Sequence, residues 1–264
     1  MFARALALAL LAASPALADS ADAALQGAVD NPARSAPNRA RDPYRHPAEA
    51  LSFFGVKPES VVVEIDPGGA GYWTEILAPH LKAKGRYIAA SLRADSDEAR
   101  RGAAAFAAKV AADPAAYGRV ETVAVVSDRP EIAAPGTADF VLTFRNLHNW
   151  MKDGTAEVKL RAFFAALKPG GVLGIEDHRA SDSEPQDPAA NSGYVRQDYA
   201  VHLIEAVGFK FVGASEISAN PKDTKDYSVG VWALPPTYRF KDVDRAKYQA
   251  IGESDRFTLK FAKP

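Results

Sequence analysis

No cysteine occurs among the 264 residues. Disulfides, thiolate zinc centres and cysteine nucleophiles are therefore excluded, and any metal would have to be held by histidine and carboxylate. An excess of charge of one sign is also missing: 32 Lys and Arg stand against 33 Asp and Glu, for a formal net charge of -1. Both signs are interspersed, which leaves no electrostatic footprint for nucleic acid and argues against a polyanionic partner. Apolar runs of the roughly 20 residues needed to span a bilayer are lacking too. The run Ala5 to Ala13 is shorter, follows Arg4 and leads to Ala16-Leu17-Ala18 before Asp19. That is the pattern of a secretory signal peptide, with a buried helix as the alternative. The expectation is a signal peptide over 1–18, a periplasmic or secreted mature chain beginning near Asp19, and no stable membrane span after cleavage.

What is present is enough for one large core, since 47% of the residues are hydrophobic. Residues 19–42 are rich in Ala, Asp, Asn, Pro and Arg without a sustained apolar period and read as a mobile arm; residues 43–264 read as the domain. At their junction Arg39, Arg41, Arg45 and His46 precede a short helix that can dock through Leu51, Phe53 and Phe54. This basic lead-in reads as a solvated surface, with closure over a ligand as the other reading. From Val61 onward β-branched runs alternate with helical patterns, the signature of parallel strands joined by helices. The strands expected are Val61 to Asp66, Arg86 to Ser91, Val120 to Val126, Phe140 to Phe144 and Val172 to Glu176, so the fold class is α/β and doubly wound.

The first helix presents Trp73, Ile76, Leu77 and Leu81, and a later one Leu160, Phe163, Phe164 and Leu167 at i, i+3, i+4 and i+7. A helix over 96–112 is closed by Asp113-Pro114, and one over 193–207 by Gly208. "FKFVGASEI" reads as a sixth strand and "RFTLKFAKP" as a seventh, with "YSVGVWAL" as a rival for that place. Residues 218–255 read as an insertion over one edge. No internal repeat is present.

The stretch "VVVEIDPGGAGYWTEIL" carries the first chemistry. In an open parallel sheet, ligands bind beyond the carboxyl ends of the strands, where the first strand turns into the first helix. Gly68, Gly69 and Gly71 let the backbone turn sharply and approach a ligand, and Glu64 offers a carboxylate to hydroxyl or ammonium groups. The spacing is not the G-x-G-x-x-G of dinucleotide sites, which disfavours a nicotinamide-dependent oxidoreductase. Taken with "DFVLTFRNLHNWM", "FFAALKPGGVLGIEDHRA" and "LIEAVGFKFVGASE", in that order, the chain resembles the class I S-adenosylmethionine-dependent methyltransferases over roughly residues 45–217. It is most similar to an exported group of predicted methyltransferases with the same "NLHNWM" and "ESDRFTLKF"-like stretches. The resemblance implies a Rossmann-like, mostly parallel sheet of seven strands, the last antiparallel, with S-adenosylmethionine across the ends of the first four strands.

Carried over by position, the resemblance makes Glu64, Gly68, Gly71 and Asp128 cofactor-binding residues, and Asp66, Gly69 and Asn146, on the same loops, are expected to bind the cofactor with them. Asp66 stands where the family usually has its first glycine, and Ser91 where an acidic residue grips the ribose hydroxyls, a part Asp95 could take instead. Asp128 matches the place that meets the adenine amino group.

The reacting groups expected beside the transferred methyl are His148, Asp177 and His178. Methyl transfer is an in-line displacement, so the protein has to align the acceptor, exclude water and, for a hydroxyl acceptor, take up a proton. His148 can do the last, or can merely hydrogen-bond its loop. Asp177 or His178 can orient the acceptor or, with His148, hold a divalent metal; since a metal usually needs three or more convergent ligands, no metal is expected. Trp150 stands near the acceptor and Trp73 in the core. The reading is an S-adenosylmethionine-dependent methyltransferase of a small-molecule acceptor; the alternative is an exported binding protein that keeps the fold with lost or altered cofactor use.

Overall fold

The run Val61–Val63 places β-branched residues in succession, and both faces of the strand they form are buried, as parallel strands covered by helices require. This strand, β1 (Val61–Ile65), lies in the middle of the sheet between β2 (Arg86–Ser91) and β4 (Ala138–Phe144), parallel to both. In the computed structural model, which describes residues 23–91, 97–125 and 130–264, β3 (Glu121–Ala124), β5 (Leu167–His178), β6 (Lys210–Ser215) and β7 (Arg256–Ala262) complete a seven-stranded sheet of order β3-β2-β1-β4-β5-β7-β6. β7 runs antiparallel to both of its neighbours. The expected α/β class, strand number and reversed last strand are all present.

Alternation along β1 divides the core. Val62 joins Leu51, Phe54, Ile76 and Leu77 on one face, while Val63 and Ile65 join Leu160, Phe163 and Ile204 on the other. The first face is covered by α4 (Pro47–Phe54), α5 (Thr74–Leu81) and α6 (Asp97–Ala112), and the second by α8 (Leu147–Lys152), α9 (Ala156–Ala166) and α10 (Gln197–Glu205). Short helices fill the rest: α1 (residues 23–29), α2 (Ala36–Arg39), α3 (Asp42–Arg45), α7 (Pro114–Tyr117) and α11 (Arg245–Ile251). No helix among the described residues is long and apolar enough to cross a membrane.

Several expectations change. The stretch read as an arm is packed onto the body from residue 23: Leu25 and Val29 enter the core, and Arg34 is buried with its guanidinium on Asp42 at 2.8 Å. Its apolar residues are too few to show a period, yet each is placed. Leu167 leaves the helix stripe and opens β5, since Lys168 precedes Pro169 and is disfavoured in the helical region. The helix over 96–112 does stop at Asp113-Pro114, with α6 ending at Ala112, and Pro114 then starts α7, whose Ala116 amide donates to Asp113 at 2.9 Å. "YSVGVWAL" forms no strand; Gly230–Ala233 is a 3₁₀ turn, and β7 has the seventh place. Residues 218–255 link the end of β6 to the start of β7, and so gather beside the carboxyl end of β5. The signal peptide, Asp95 and Asp128 lie outside the described residues.

Candidate active site

At the carboxyl ends of β1 and β4 the chain opens a cleft of about 220 Å³. Glu64, Asp66, Gly68, Gly69 and Asn146, five of the expected cofactor residues, line it together. Gly71 does not; its left-handed φ of 54° completes the turn into α5, and a Cβ there would meet the Lys109 side chain at 3.3 Å. Gly69 is needed for packing as well as for access, because a Cβ on it would come within 3.1 Å of Ala105 on α6. Gly68, at φ 69° with nothing within 4 Å of a Cβ, is the glycine whose value is backbone freedom alone.

Glu64 is buried and accepts a short hydrogen bond from the Tyr87 hydroxyl, which also lies 2.8 Å from Thr74 Oγ1. Burial pushes its carboxyl up to about 7, against the downward pull of the Tyr87 and Thr74 hydrogen bonds. A buried carboxyl held near neutrality can take up a proton when the cleft is empty and release it to solvent when a cationic ligand binds. Asn146 Nδ2 donates to Ile65 O at 3.2 Å and to Thr143 Oγ1 at 3.1 Å, tying the end of β4 to the end of β1. Trp73, stacked on Phe144 with ring centroids 4.0 Å apart, forms an apolar wall and a core residue at once. The cleft therefore offers carboxylates, an amide, an open glycine turn and an aromatic wall, a set that suits a cationic nucleoside.

Of the basic lead-in, Arg39 is solvated as expected, but Arg41 is half-buried and Arg45 buried. Arg45 is buried beneath the cleft with its guanidinium 4.4 Å from the centre of the Tyr72 ring, and both Arg41 and Arg45 line the cavity. They meet Glu253, from just before β7, at 2.6 and 3.3 Å, and Arg256 bonds both Glu253 and Glu176. Arg145, at φ 63° between β4 and α8, also lines the cleft. The sequence marks Arg41 and Arg45 only as part of a charge run; nothing in it pairs them with residues more than 200 positions away.

Next along the rim, His148, Asp177 and His178 do come together. Asp177, fully buried at the end of β5, accepts from the His148 backbone amide at 3.0 Å and lies 2.8 Å from His148 Nδ1. Its Oδ1 also accepts from the His178 amide at 2.8 Å. Asp177 thus takes part in three hydrogen bonds, two of which orient His148. His178 Nδ1 lies 2.5 Å from Ser254 Oγ, and the two imidazole centroids are 5.1 Å apart. Burial, then the proximity of His148 and Arg145, holds His178 well below the ordinary histidine range, so that it stays neutral near pH 7. The three residues bring ligand-type atoms within 4.8 Å of one another, and with His148 Nδ1 turned onto Asp177 Oδ1 the arrangement is that of an imidazole oriented as a base.

Trp232, from the 218–255 segment, faces His148 at 6.1 Å, and Tyr194, from the link between β5 and α10, faces His178 at 6.3 Å between ring centroids, so that the histidine pair is closed from two sides. Trp150, expected near the acceptor, is fully buried against Phe163 instead. Trp232 takes its place. His202, on α10, bonds Asp198 O at 2.7 Å and belongs to the helix surface.

The sheet order and the reversed β7 define the fold of the class I S-adenosylmethionine-dependent methyltransferases. An S-adenosylmethionine-dependent methyltransferase from Aquifex aeolicus matches over 92% of this chain and 98% of its own, with a TM-score of 0.57 at 16% identity. The [4+2]-cyclase SpnF matches over 94% of each chain, with a TM-score of 0.57 at 13% identity. Phosphoethanolamine N-methyltransferase 2 of Haemonchus contortus, solved in complex with S-adenosyl-L-methionine, matches over 93% of this chain and 57% of its own, with a TM-score of 0.55 at 14% identity. No family model and no curated protein sequence matches the chain.

Proposed function

We propose that this chain is an S-adenosylmethionine-dependent methyltransferase of a small-molecule acceptor, exported by way of residues 1–18. The observation that carries the reading is the convergence of Glu64, Asp66, Gly68, Gly69 and Asn146 on one cleft at the carboxyl ends of β1 and β4. Glu64 and Asp66 would hold the positively charged part of the cofactor, with Trp73 against an apolar portion; when bound, the cofactor supplies a methyl group on a sulfonium. The fold relatives support that assignment at the level of fold.

The chain's own contribution to the chemistry is alignment, dryness and a base. His148, held by Asp177 through Nδ1, presents its Nε2 as the proton-accepting atom for an acceptor hydroxyl or amine. Asp177 fixes the tautomer and stabilises the imidazolium that results. His178, kept neutral and tied to Ser254, adds a second imidazole that does not repel it. Trp232 and Tyr194 shield the pair from water.

Calorimetric titration with S-adenosylmethionine and with its demethylated product tests the reading. Dissociation constants in the micromolar range, about -8 kcal/mol, are expected. No heat with either ligand at about 1 mM would exclude it and favour a binding protein that has kept the fold for another ligand.

A further inference from the structure

The cleft has two electrically different sides. On the β1 side stand the carboxyls of Glu64 and Asp66; on the other stand Arg41, Arg45 and Arg145. Behind these lies Arg256; Arg41, Arg45 and Arg256 pair with two carboxylates, Glu176 and Glu253, and Arg145 feels Glu253 only through space. Arg41 Nη2, Arg45 Nη2, Arg145 Nε and Arg256 Nε are buried and have no hydrogen-bond partner among the described residues. Buried guanidinium donors without acceptors cost free energy that an incoming oxyanion would recover. Arg145 feels the crowding most: burial, followed by the positive charge of Arg45, brings its guanidinium down to about 9.

We propose that Arg41, Arg45 and Arg145 form a subsite for an acidic oxyanion group, carboxylate or phosphate, on the methyl acceptor. The assignment to the acceptor rests on the methyl-transfer reading, and charge balance supports it. S-adenosylmethionine brings an ammonium and a sulfonium, which Glu64 and Asp66 can match, and one carboxylate. That carboxylate offsets one of the two surplus guanidinium charges and leaves the other for the second ligand. Arg41, whose side chain keeps about a fifth of its surface exposed, is the arm by which an anion entering from solvent would first be met. The stacking of Arg45 on Tyr72, whose hydroxyl bonds Asp42, fixes the plane in which the oxyanion would lie.

The test uses inorganic phosphate as the probe, titrated into the purified chain in a calorimeter, alone and with saturating demethylated cofactor. The expected result is a dissociation constant of about 1 mM that is retained when the nucleoside is present. Arg41→Gln and Arg145→Gln should each weaken phosphate about tenfold, with saturating nucleoside present as well as without it. Absence of phosphate binding at about 50 mM, with the nucleoside still bound, would overturn the subsite and leave methyl transfer intact. Phosphate displaced by the nucleoside would also overturn it, because the arginines would then serve the cofactor's own carboxylate. Phosphate bound without any nucleoside binding would uphold the anion subsite and remove the methyl-transfer reading instead. The wild-type titrations decide these outcomes even if a variant folds poorly.

Discussion

Glu64 is the residue on which the electrostatics of the cleft turn. Its folded value, about 7, lies above the ordinary 4.5, so the stability associated with its uptake of a proton is full below about 4.5 and is lost as pH rises through about 7. Glu64→Gln should therefore melt higher than the wild type at pH 8, by about 1–3 kcal/mol, while the two converge near pH 4. The same substitution should weaken S-adenosylmethionine at least tenfold, since a charged hydrogen bond is worth about 1.5–3 kcal/mol. Affinity of the wild type for this cationic ligand should rise between pH 6 and 8 as the proton is given up, and titrations in buffers of different ionisation enthalpy would register its release. At the histidine pair, His148→Ala should lower kcat by about 10²–10⁴-fold for a hydroxyl acceptor with little change in cofactor affinity. Asp177→Asn should follow it in kcat with cofactor affinity retained, because the imidazole loses the partner that orients it and fixes its tautomer.

Among the elements, β5 shows how tightly the sheet is bound to its cover. Gly174 lies where a Cβ would come within 2.7 Å of Leu142 and 2.8 Å of Phe54, so α4 rests directly on the strand. Gly174→Ala should cost about 1–3 kcal/mol through overpacking, measured by chemical denaturation, with no direct contact to the cleft. The strands and the longer helices could be read from the chain because their apolar periods are local. Val61–Val63, the Leu160–Phe163 stripe and "RFTLKF" each declare themselves within ten residues, whereas the reversal of the last strand was implied only by the family resemblance. The glycine turn and the rim after β4 were legible for the same reason, since a ligand site at strand ends follows from the order of elements. What escaped notice depends on contacts distant in sequence. Arg41 with Glu253, and His178 with Ser254, meet only because β7 returns antiparallel beside β5. The three-dimensional place of Trp232 was hidden in the same way, inside a segment with no regular period.

For the molecule as a whole, Glu253 is the point where the N-terminal segment, the sheet and the final strand are joined. Burial alone would raise its carboxyl, but Arg45, Arg256, Arg145 and Arg41 together hold it far below the ordinary 4.5. The stability this provides is present above about pH 4.5 and is lost as pH falls further, so the protein should unfold in acid with an uptake of protons. Glu253→Gln should destabilise the fold by about 3–5 kcal/mol at pH 7, because it leaves buried guanidinium groups uncompensated, and should flatten the acid limb of the stability curve. The bond between Arg41 and Glu253 spans 212 positions. A ribosome delivers the first of these residues long before the second. One wall of the ligand crevice must therefore wait, unfastened, until nearly the entire polypeptide has emerged, and its completion belongs to the last moments of the protein's making.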